Sequence, residues 1–488
     1  MANTANRHRR LVLVVGIAVP ALLFAAAARG AEIRIDCSQA AGTLRALHGV
    51  NNGPLNAGET VDLSAAYREL RIPLARLHDS EWPNPDIVDI HAVFPDLSAD
   101  PDRPESYRFA RTDDYLRALV GTGTGVVYRL GESIEHTRRK YRVNPPADPA
   151  KWAAACVGII RHYNEGWANG FQHKIRYWEI WNEPENRPAM WTGSDDDYYR
   201  LYATAAKAIK SRFPDLRVGG PSVGAPGQVV EGRLRPTPFL EGFLKRCKDE
   251  SLPLDFFSWH TYTNNPLLYV ERAHAIRRWL DENGFQKTEI HLNEWNYLPD
   301  DDWAPMLGTN MGLQREKWYD RMGGAEGAAF TATVLLLLQD CPVDVANYYS
   351  GDSSPFGLFT RYGALKKTYH AMRAFRMLLD TPERVRAQGG EPGRMAVGAG
   401  LNRDRSAVTV LVSNFRSAEK RFDLVIDRLP WDGPTACQVF RLDAARDLEP
   451  AETSRLPGGE VRLPLALEAP ALAVIRLTKA GPDAAAQP

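Results

Sequence analysis

The sequence predicts a (β/α)8 barrel followed by a small antiparallel β-sandwich. Eight apolar, strand-like segments alternate with helical patterns over roughly 330 residues from His48, and such alternation is typical of a parallel barrel. Beyond about Thr381 the pattern changes to short strands separated by Gly, Pro and Asp, which favours a sandwich. An open doubly wound sheet is the alternative, but no G-x-G-x-x-G follows the first strand.

The barrel elements follow one another in a regular order. Strands are predicted at 48–51, 72–78, 125–130, 177–181, 216–219, 254–262, 289–293 and 343–350. Helical patterns begin at Asp62 and Thr112 and cover 148–169, 196–213, 238–248, 265–283, 323–339 and 363–379. Thr112 is expected to be a helix N-cap. Residues 80–110, rich in Pro and Asp, are predicted to be a loop insertion.

Five regions follow from this pattern. Residues 1–31 are typical of a signal peptide or an N-terminal anchor, because Arg7, Arg9 and Arg10 precede a long apolar run with small residues at its end. Cleavage is favoured, and with it export to the periplasm or the medium. A strand in 32–46 is expected to join the sandwich. The barrel is predicted at 47–380, the sandwich at 381–480 and a disordered tail at 481–488.

Composition excludes several classes of protein. The 60 Lys and Arg residues balance 60 Asp and Glu residues, so no overall field indicates nucleic acid or an anionic membrane surface as a partner. The five cysteines are widely spaced and no C-x-x-C occurs, which argues against a zinc ribbon or a redox motif. No tight histidine spacing indicates a metal site. We therefore expect neither a metal nor a cofactor.

Chemistry-bearing residues are found at the carboxyl ends of the predicted strands, where barrel enzymes place their sites. They are Asn51, Arg76, His78, Arg129, Glu132, Asn182, Glu183, His260, Tyr262, Glu294, Tyr348 and Asp352. Two carboxylates, Glu183 and Glu294, dominate the set. Glycosidic cleavage needs one protonated and one ionised carboxyl group. Arg76 and Tyr262 are expected to keep Glu294 ionised, whereas desolvation near Trp181 is expected to protonate Glu183.

Proline at position 184 indicates how the fourth strand ends. Strict alternation would send Asn182 and Glu183 to opposite faces of the strand. Because proline interrupts regular strand pairing, we expect the strand to end or bulge at Asn182, so that both side chains reach the site.

Three stretches, WNEPE, SWHTY and LNEW, occur in this order at strands four, six and seven. Together they resemble clan A glycoside hydrolases, and most closely glycoside hydrolase family 39, the family of β-xylosidases and α-L-iduronidases. The resemblance extends from LHGVNNGPL to the last barrel helix and implies a (β/α)8 barrel with β-rich accessory structure and a retaining mechanism.

Carried to this sequence, the resemblance implies that Glu183 is the acid/base and Glu294 the nucleophile. The remaining site residues would bind or position the sugar: Asn182 at the 2-hydroxyl, Arg76 and Tyr262 beside the nucleophile, and His260 and His78 in the subsite. From its position beside Glu294, Trp295 is itself predicted to be a sugar platform. The eighth strand, ANYYSGDSSPFGLF, lacks a Trp-rich ending, and the 80–110 insertion is distinctive. Both features leave the particular sugar open.

The sequence thus predicts an exported retaining glycoside hydrolase, exo-acting on xylosides or related glycosides. One alternative is another clan A activity, such as an α-L-arabinofuranosidase or an endo-glycanase. A second is a catalytically silent carbohydrate-binding protein, and a third is polysaccharide binding by the sandwich. The expected partner is a carbohydrate; the oligomeric state is not predicted.

Overall fold

The structure is a computed structural model that describes residues 31–480. The N-terminal segment 1–30 and the tail 481–488, predicted to be an export signal and a disordered end, lie outside the described residues. In chain order the strands are β1 (Ala31–Thr43), β2 (Gly49–Asn51), β3 (Leu55–Asn56), β4 (Val61–Asp62), β5 (Leu74–Leu77), β6 (Gly125–Leu130), β7 (Tyr177–Ile180), β8 (Arg217–Val223), β9 (Gly227–Val230), β10 (Arg233–Pro236), β11 (Phe256–Thr263), β12 (Glu289–Tyr297), β13 (Val345–Tyr348), β14 (Glu383–Gln388), β15 (Met395–Leu401), β16 (Ala407–Asn414), β17 (Arg421–Asp427), β18 (Thr435–Leu442), β19 (Asp447–Leu456), β20 (Val461–Ala466) and β21 (Ala471–Lys479). The helices are α1 (Ser64–Leu70), α2 (Ile90–Val93), α3 (Ala110–Val120), α4 (Pro149–Glu165), α5 (Asp195–Arg212), α6 (Pro238–Asp249), α7 (Pro266–Glu282), α8 (Ala304–Leu307), α9 (Gly312–Gly323), α10 (Ala325–Leu337) and α11 (Lys367–Leu378).

Eight of these strands form a closed barrel in the order β2-β5-β6-β7-β8-β11-β12-β13. Every neighbouring pair is parallel, so all eight carboxyl ends meet at one rim. The predicted barrel is confirmed. Helices between the strands cover the outside, because a parallel strand pair needs a crossover connection and the crossovers bury the outer face.

Local sequence signals explain where the longest helices begin and end. In α4, Pro149 occupies the first turn, the Asp148 carboxylate accepts the Ala150 and Lys151 amides, and Gly166 ends the helix at φ +77°. A reciprocal capping box of Ser194 and Asp197 begins α5.

The predicted N-cap role of Thr112 is wrong. Helix α3 begins at Ala110, two residues earlier. The Thr112 hydroxyl instead accepts the Val88 amide at 3.0 Å and so ties the helix to the 80–110 insertion.

The second domain is a β-sandwich built from one continuous nine-stranded sheet, in the order β19-β18-β21-β16-β15-β14-β1-β17-β20. Its apolar core is separate from that of the barrel and includes Ile33, Val410, Leu424 and Ile475. The first strand lies inside this sheet, antiparallel to β14 and parallel to β17. A wholly antiparallel sheet was expected; β1 breaks the rule because it arrives from the far end of the chain rather than through a hairpin.

Helix α10 joins the two domains. Its residues are buried from Gly327 to Leu336, as expected for a helix that is apolar on all sides. The Ser413 hydroxyl, on the sandwich strand β16, donates to the Ala329 carbonyl of α10 at 2.8 Å.

Among the residues 31–480 no single helix is long and apolar enough to cross a membrane. One bent pair of helices, Gly312–Gly323 with Ala325–Asp340, has the length and the apolar composition of a membrane span.

Candidate active site

The carboxyl rim of the barrel surrounds a cavity of about 620 Å³. Its walls include His78, Asn182, Glu183, Tyr262 and Glu294, all predicted from the sequence to be site residues. They come from strands that are far apart in the chain but share one edge of the sheet, where such sites form.

Arg76, on β5, lies at the centre of a buried hydrogen-bond network. Its side chain has no exposed surface, and it pairs with Glu179 at 2.6 Å and with Glu294 at 2.9 Å. It also donates to Asn182 Oδ1 at 2.6 Å. Burial alone would lower the pKa of Arg76, but the two carboxylates outweigh burial and raise it. The guanidinium therefore stays charged and fixes two carboxylates in place.

Hydrogen bonds to both carboxyl oxygens fix the orientation of Glu294. Arg76 binds Oε1, and the Tyr262 hydroxyl donates to Oε2 at 2.8 Å. His260 Nδ1 lies 3.4 Å from Oε2, and His78 Nε2 lies 3.8 Å from Oε1. A carboxylate that is anchored by donors at both oxygens presents a fixed lone pair to the cavity.

Glu183 reaches the cavity because the fourth barrel strand ends abruptly. Strand β7 stops at Ile180, and both Trp181 (φ +69°) and Glu183 (φ +42°) adopt left-handed backbone conformations. The break lies one residue earlier than expected and directs both Asn182 and Glu183 inward. Oε1 of Glu183 contacts His260 Nδ1 at 2.7 Å, and Asn186 donates to Oε2 at 2.8 Å.

The pKa values of Glu183 and His260 shift in opposite directions. Burial would raise the pKa of Glu183, but the hydrogen bond and the charge of His260 outweigh it and lower the pKa. Burial would lower the pKa of His260, but Glu294 and Glu183 outweigh it and raise the pKa. The prediction that desolvation protonates Glu183 is therefore wrong for this structure, because an imidazole compensates the burial.

The two carboxylates approach each other closely. One carboxyl oxygen of Glu183, one ring nitrogen of His260 and one carboxyl oxygen of Glu294 all lie within 4.8 Å of one another. A second such group in the described chain consists of Glu81, Asp89 and His91, on the 80–110 insertion. Both groups have atom types that bind metals, and in both the histidine already pairs with a carboxylate.

Trp295, predicted to be a sugar platform, lies away from the cavity. Its side chain is fully buried and packs against Tyr269 and Tyr348 behind the barrel wall. Successive residues of a strand point to opposite faces, so Trp295 turns away from the cavity that Glu294 faces. The prediction of a sugar platform at Trp295 is wrong.

Three acidic residues of the site were not predicted. Glu179 precedes the motif on β7 and is fully buried against Arg76; a lone Glu within the apolar run YWEIW is the signal that could have found it. Burial raises the pKa of Asp79 to about 7, and Glu294 adds to the effect. Burial, with the charge of Glu183, also raises the pKa of Glu185 to about 7. Both lie on the cavity wall.

Comparison with known proteins shows which family the chain belongs to. A family model described as glycosyl hydrolases family 39 matches residues 63–306, which is half of the chain. The chain belongs to this family. The resemblance drawn from WNEPE, SWHTY and LNEW is thereby confirmed, and the matched segment contains both carboxylates of the site.

Two curated proteins named beta-xylosidase are similar to this chain. One, from Geobacillus stearothermophilus, is 27% identical over 265 residues, 49% of each chain. The other, from Caldicellulosiruptor saccharolyticus, is 25% identical over 54% of this chain and 51% of its own. The match thus spans about half the length of these relatives.

Solved structures extend the similarity to both domains. A crystal structure named glucosidase, from Croceicoccus marinus, has a TM-score of 0.78 at 27% identity and covers 92% of this chain and 99% of its own. A monomeric beta-xylosidase from Caulobacter crescentus CB15 has a TM-score of 0.68 at 17% identity, with 92% and 99% coverage. The second likeness shows the shared fold alone.

Proposed function

We propose that this protein hydrolyses glycosidic bonds with retention of anomeric configuration. The observation that carries the proposal is the separation of the two carboxylates, whose nearest oxygens lie within 4.8 Å of each other. Retaining enzymes hold their carboxyl groups about 5–5.5 Å apart and inverting enzymes about 6.5–9.5 Å apart. An upper bound of 4.8 Å between the nearest oxygens is shorter than the inverting range and supports retention.

In the first step, Glu294 attacks the anomeric carbon. The bond from that carbon to the leaving oxygen breaks as the bond to Glu294 forms, and the leaving oxygen takes a proton from the Glu183–His260 pair. Arg76 and Tyr262 keep the attacking carboxylate in place. The anchoring limits the motion needed to reach the transition state.

In the second step, water attacks the same carbon, Glu183 takes its proton and Glu294 departs. The proton returns to the imidazole across the 2.7 Å contact. Asn182 is suited to bind the 2-hydroxyl, because Arg76 and Ser222 fix its oxygen while no described residue pairs with its amide nitrogen. His78 lines the same wall.

The substrate class we propose is β-xylosides or related glycosides, because both curated relatives are named beta-xylosidase. A β-glucoside is the second candidate, since the Croceicoccus marinus structure, which is 27% identical and covers 92% of this chain, is named a glucosidase. An α-L-arabinofuranosidase, an endo-glycanase and a silent carbohydrate-binding protein remain the alternatives that the experiment separates.

The test compares wild type with Glu294→Gln and Glu183→Gln on a panel of 4-nitrophenyl glycosides that includes xylose, glucose and arabinose. Loss of the nucleophile should lower kcat roughly 10³-fold or more, and the first sugar released by wild type should keep its configuration in proton NMR. Glu289→Gln is the matched control, because Glu289 lies on β12 at the opposite end of the barrel and pairs with Arg176. Full activity in Glu294→Gln, or an inverted product, contradicts the proposal.

We also propose that residues 1–31 direct export and that 47–380 carry the chemistry while 381–480 support the barrel. The apolar run after Arg10 motivates the first part, and the buried contact of α10 with β16 motivates the second. N-terminal sequencing of the secreted protein tests export. A barrel that folds and cleaves aryl glycosides without residues 381–480 would contradict the supporting role.

A further inference from the structure

A second cavity, of about 520 Å³, adjoins the first at the rim of the barrel. The two cavities share six wall residues: Asp79, Ile134, His136, Met306, Tyr349 and Phe356. Glu183 and Glu294 border only the first cavity, whereas Trp82 and Asp352 border only the second. The pocket that contains the two carboxylates therefore continues past Asp79 into another compartment.

The direction of this compartment is set by the barrel order. Trp82 follows β5 and Asp352 follows β13, which flank β2 in the barrel. Glu183 follows β7 on the other side. A leaving group must contact Glu183, while the attacked sugar contacts Glu294. A chain that continues beyond the attacked sugar therefore runs away from Glu183, towards the second cavity.

Trp82 offers an aromatic surface in this cavity. Its side chain is 61% exposed, and its loop is fixed, since Asn84 donates to the Leu55 carbonyl at 2.6 Å and accepts the Gly58 amide at 3.1 Å. His136 meets the indole at an interplanar angle of 68°, an edge contact rather than a stack. Because the loop is fixed and His136 makes an edge contact, the exposed face of the indole can pack against the C–H face of a sugar.

Asp79 supplies hydrogen bonds where the two cavities meet. Its carboxyl group is bound by the Tyr349 hydroxyl at 2.9 Å and by the Ile134 amide at 2.8 Å, so its position is fixed. Burial raises its pKa to about 7, so at neutral pH the group can donate to a sugar hydroxyl as well as accept from one. Arg361 adds exposed N–H donors on the outer wall.

We propose that the second cavity binds one additional sugar residue on the nonreducing side of the attacked sugar, stacked on Trp82. This inference rests on the proposed hydrolase function and deepens it. A protein with such a subsite releases disaccharides from a chain end or from within a chain, whereas the sequence predicted removal of single sugars.

The test uses 4-nitrophenyl β-xyloside with β-xylobioside, and β-glucoside with β-cellobioside. For at least one pair, kcat/KM should be about tenfold higher for the disaccharide substrate, with intact disaccharide as the first product in chromatography. Trp82→Ala should lower the ratio of the two kcat/KM values about tenfold, and Trp82→Phe should restore part of it. Tyr141→Ala is the matched control, because Tyr141 is 59% exposed and lines neither cavity.

A ratio that Trp82→Ala leaves at the wild-type value, or stepwise release of single sugars, overturns the subsite. Failure of the hydrolase proposal looks different, since wild type would then cleave no aryl glycoside. In that case calorimetric binding of xylobiose and cellobiose decides. Affinity for a disaccharide that Trp82→Ala weakens about tenfold supports the subsite, and equal affinity in both proteins overturns it.

Discussion

Replacing Arg76 by methionine should destabilise the protein more than any surface substitution. The guanidinium has no exposed surface and pairs with Glu179, which is also fully buried, and with Glu294. Without Arg76, the Asn293 amide, at 2.7 Å, is the one hydrogen-bond donor left to the Glu179 carboxylate among residues 31–480. Removing one partner of a buried pair costs about 3–5 kcal/mol, because a charge is left uncompensated in the interior.

Guanidinium chloride unfolding measures this cost. We expect Arg76→Met to lose about 3–5 kcal/mol, a large part of the stability of a typical protein. Arg212→Met is the control: Arg212 pairs with Glu165 at 3.0 Å, but that pair is exposed, so its loss should cost at most about 1 kcal/mol.

A double-mutant cycle identifies the cause. Glu179→Gln removes the carboxylate that Arg76→Met leaves unpaired, so the double variant should lose at least about 1 kcal/mol less than the sum of the two single changes. Losses that add within about 0.5 kcal/mol, or an Arg76→Met protein as stable as the Arg212→Met control, would refute the reasoning.

Two further predictions concern pH. His260→Asn removes the imidazole that lowers the pKa of Glu183, so burial should raise the pKa of the Glu183 carboxyl group, measured by carbon-13 NMR of the labelled side chain as the pH is varied; a Glu183 pKa equal to that of wild type contradicts the pairing. Asp79 has a pKa of about 7 in the fold against an ordinary value of 3.8. Its protonated form is favoured by folding, so its stabilising contribution is complete below pH 3.8 and is lost as the pH rises through 7. Asp79→Asn should therefore remove up to about 4 kcal/mol of the fall in unfolding free energy between about pH 4 and 7.5, and an unaltered pH slope would count against this.

The barrel could be predicted because its signals are local. Short apolar runs alternate with capped amphipathic helices, and the predicted strands overlap all eight that form the barrel. The position of Glu183 beyond a strand end followed from the same pattern, with Pro184 marking the break, whereas Glu294 lies within β12, which continues to Tyr297. Alternation within LNEW also contained the information that Trp295 faces away from Glu294.

Contacts between distant segments could not be predicted. Tyr349 donates to Asp79 although 270 positions separate them, and Trp82 reaches the second cavity on a loop whose path no periodicity describes. The lowered pKa of Glu183 depends on His260, which comes from a strand 77 residues further along the chain. Each of these features exists only after the barrel has closed.

The sequence by itself therefore determined the barrel, the sandwich and the two facing carboxylates. The periodicity of strands and helices, and the residues that end strands, are local properties of the sequence. The tertiary structure alone decided which carboxylate shares a proton with which base, that Arg76 holds Glu179 and Glu294 together, and that the pocket continues past Asp79. Proton positions and pocket length depend on distances and burial between segments far apart in the chain, and those quantities are fixed only by the packed fold.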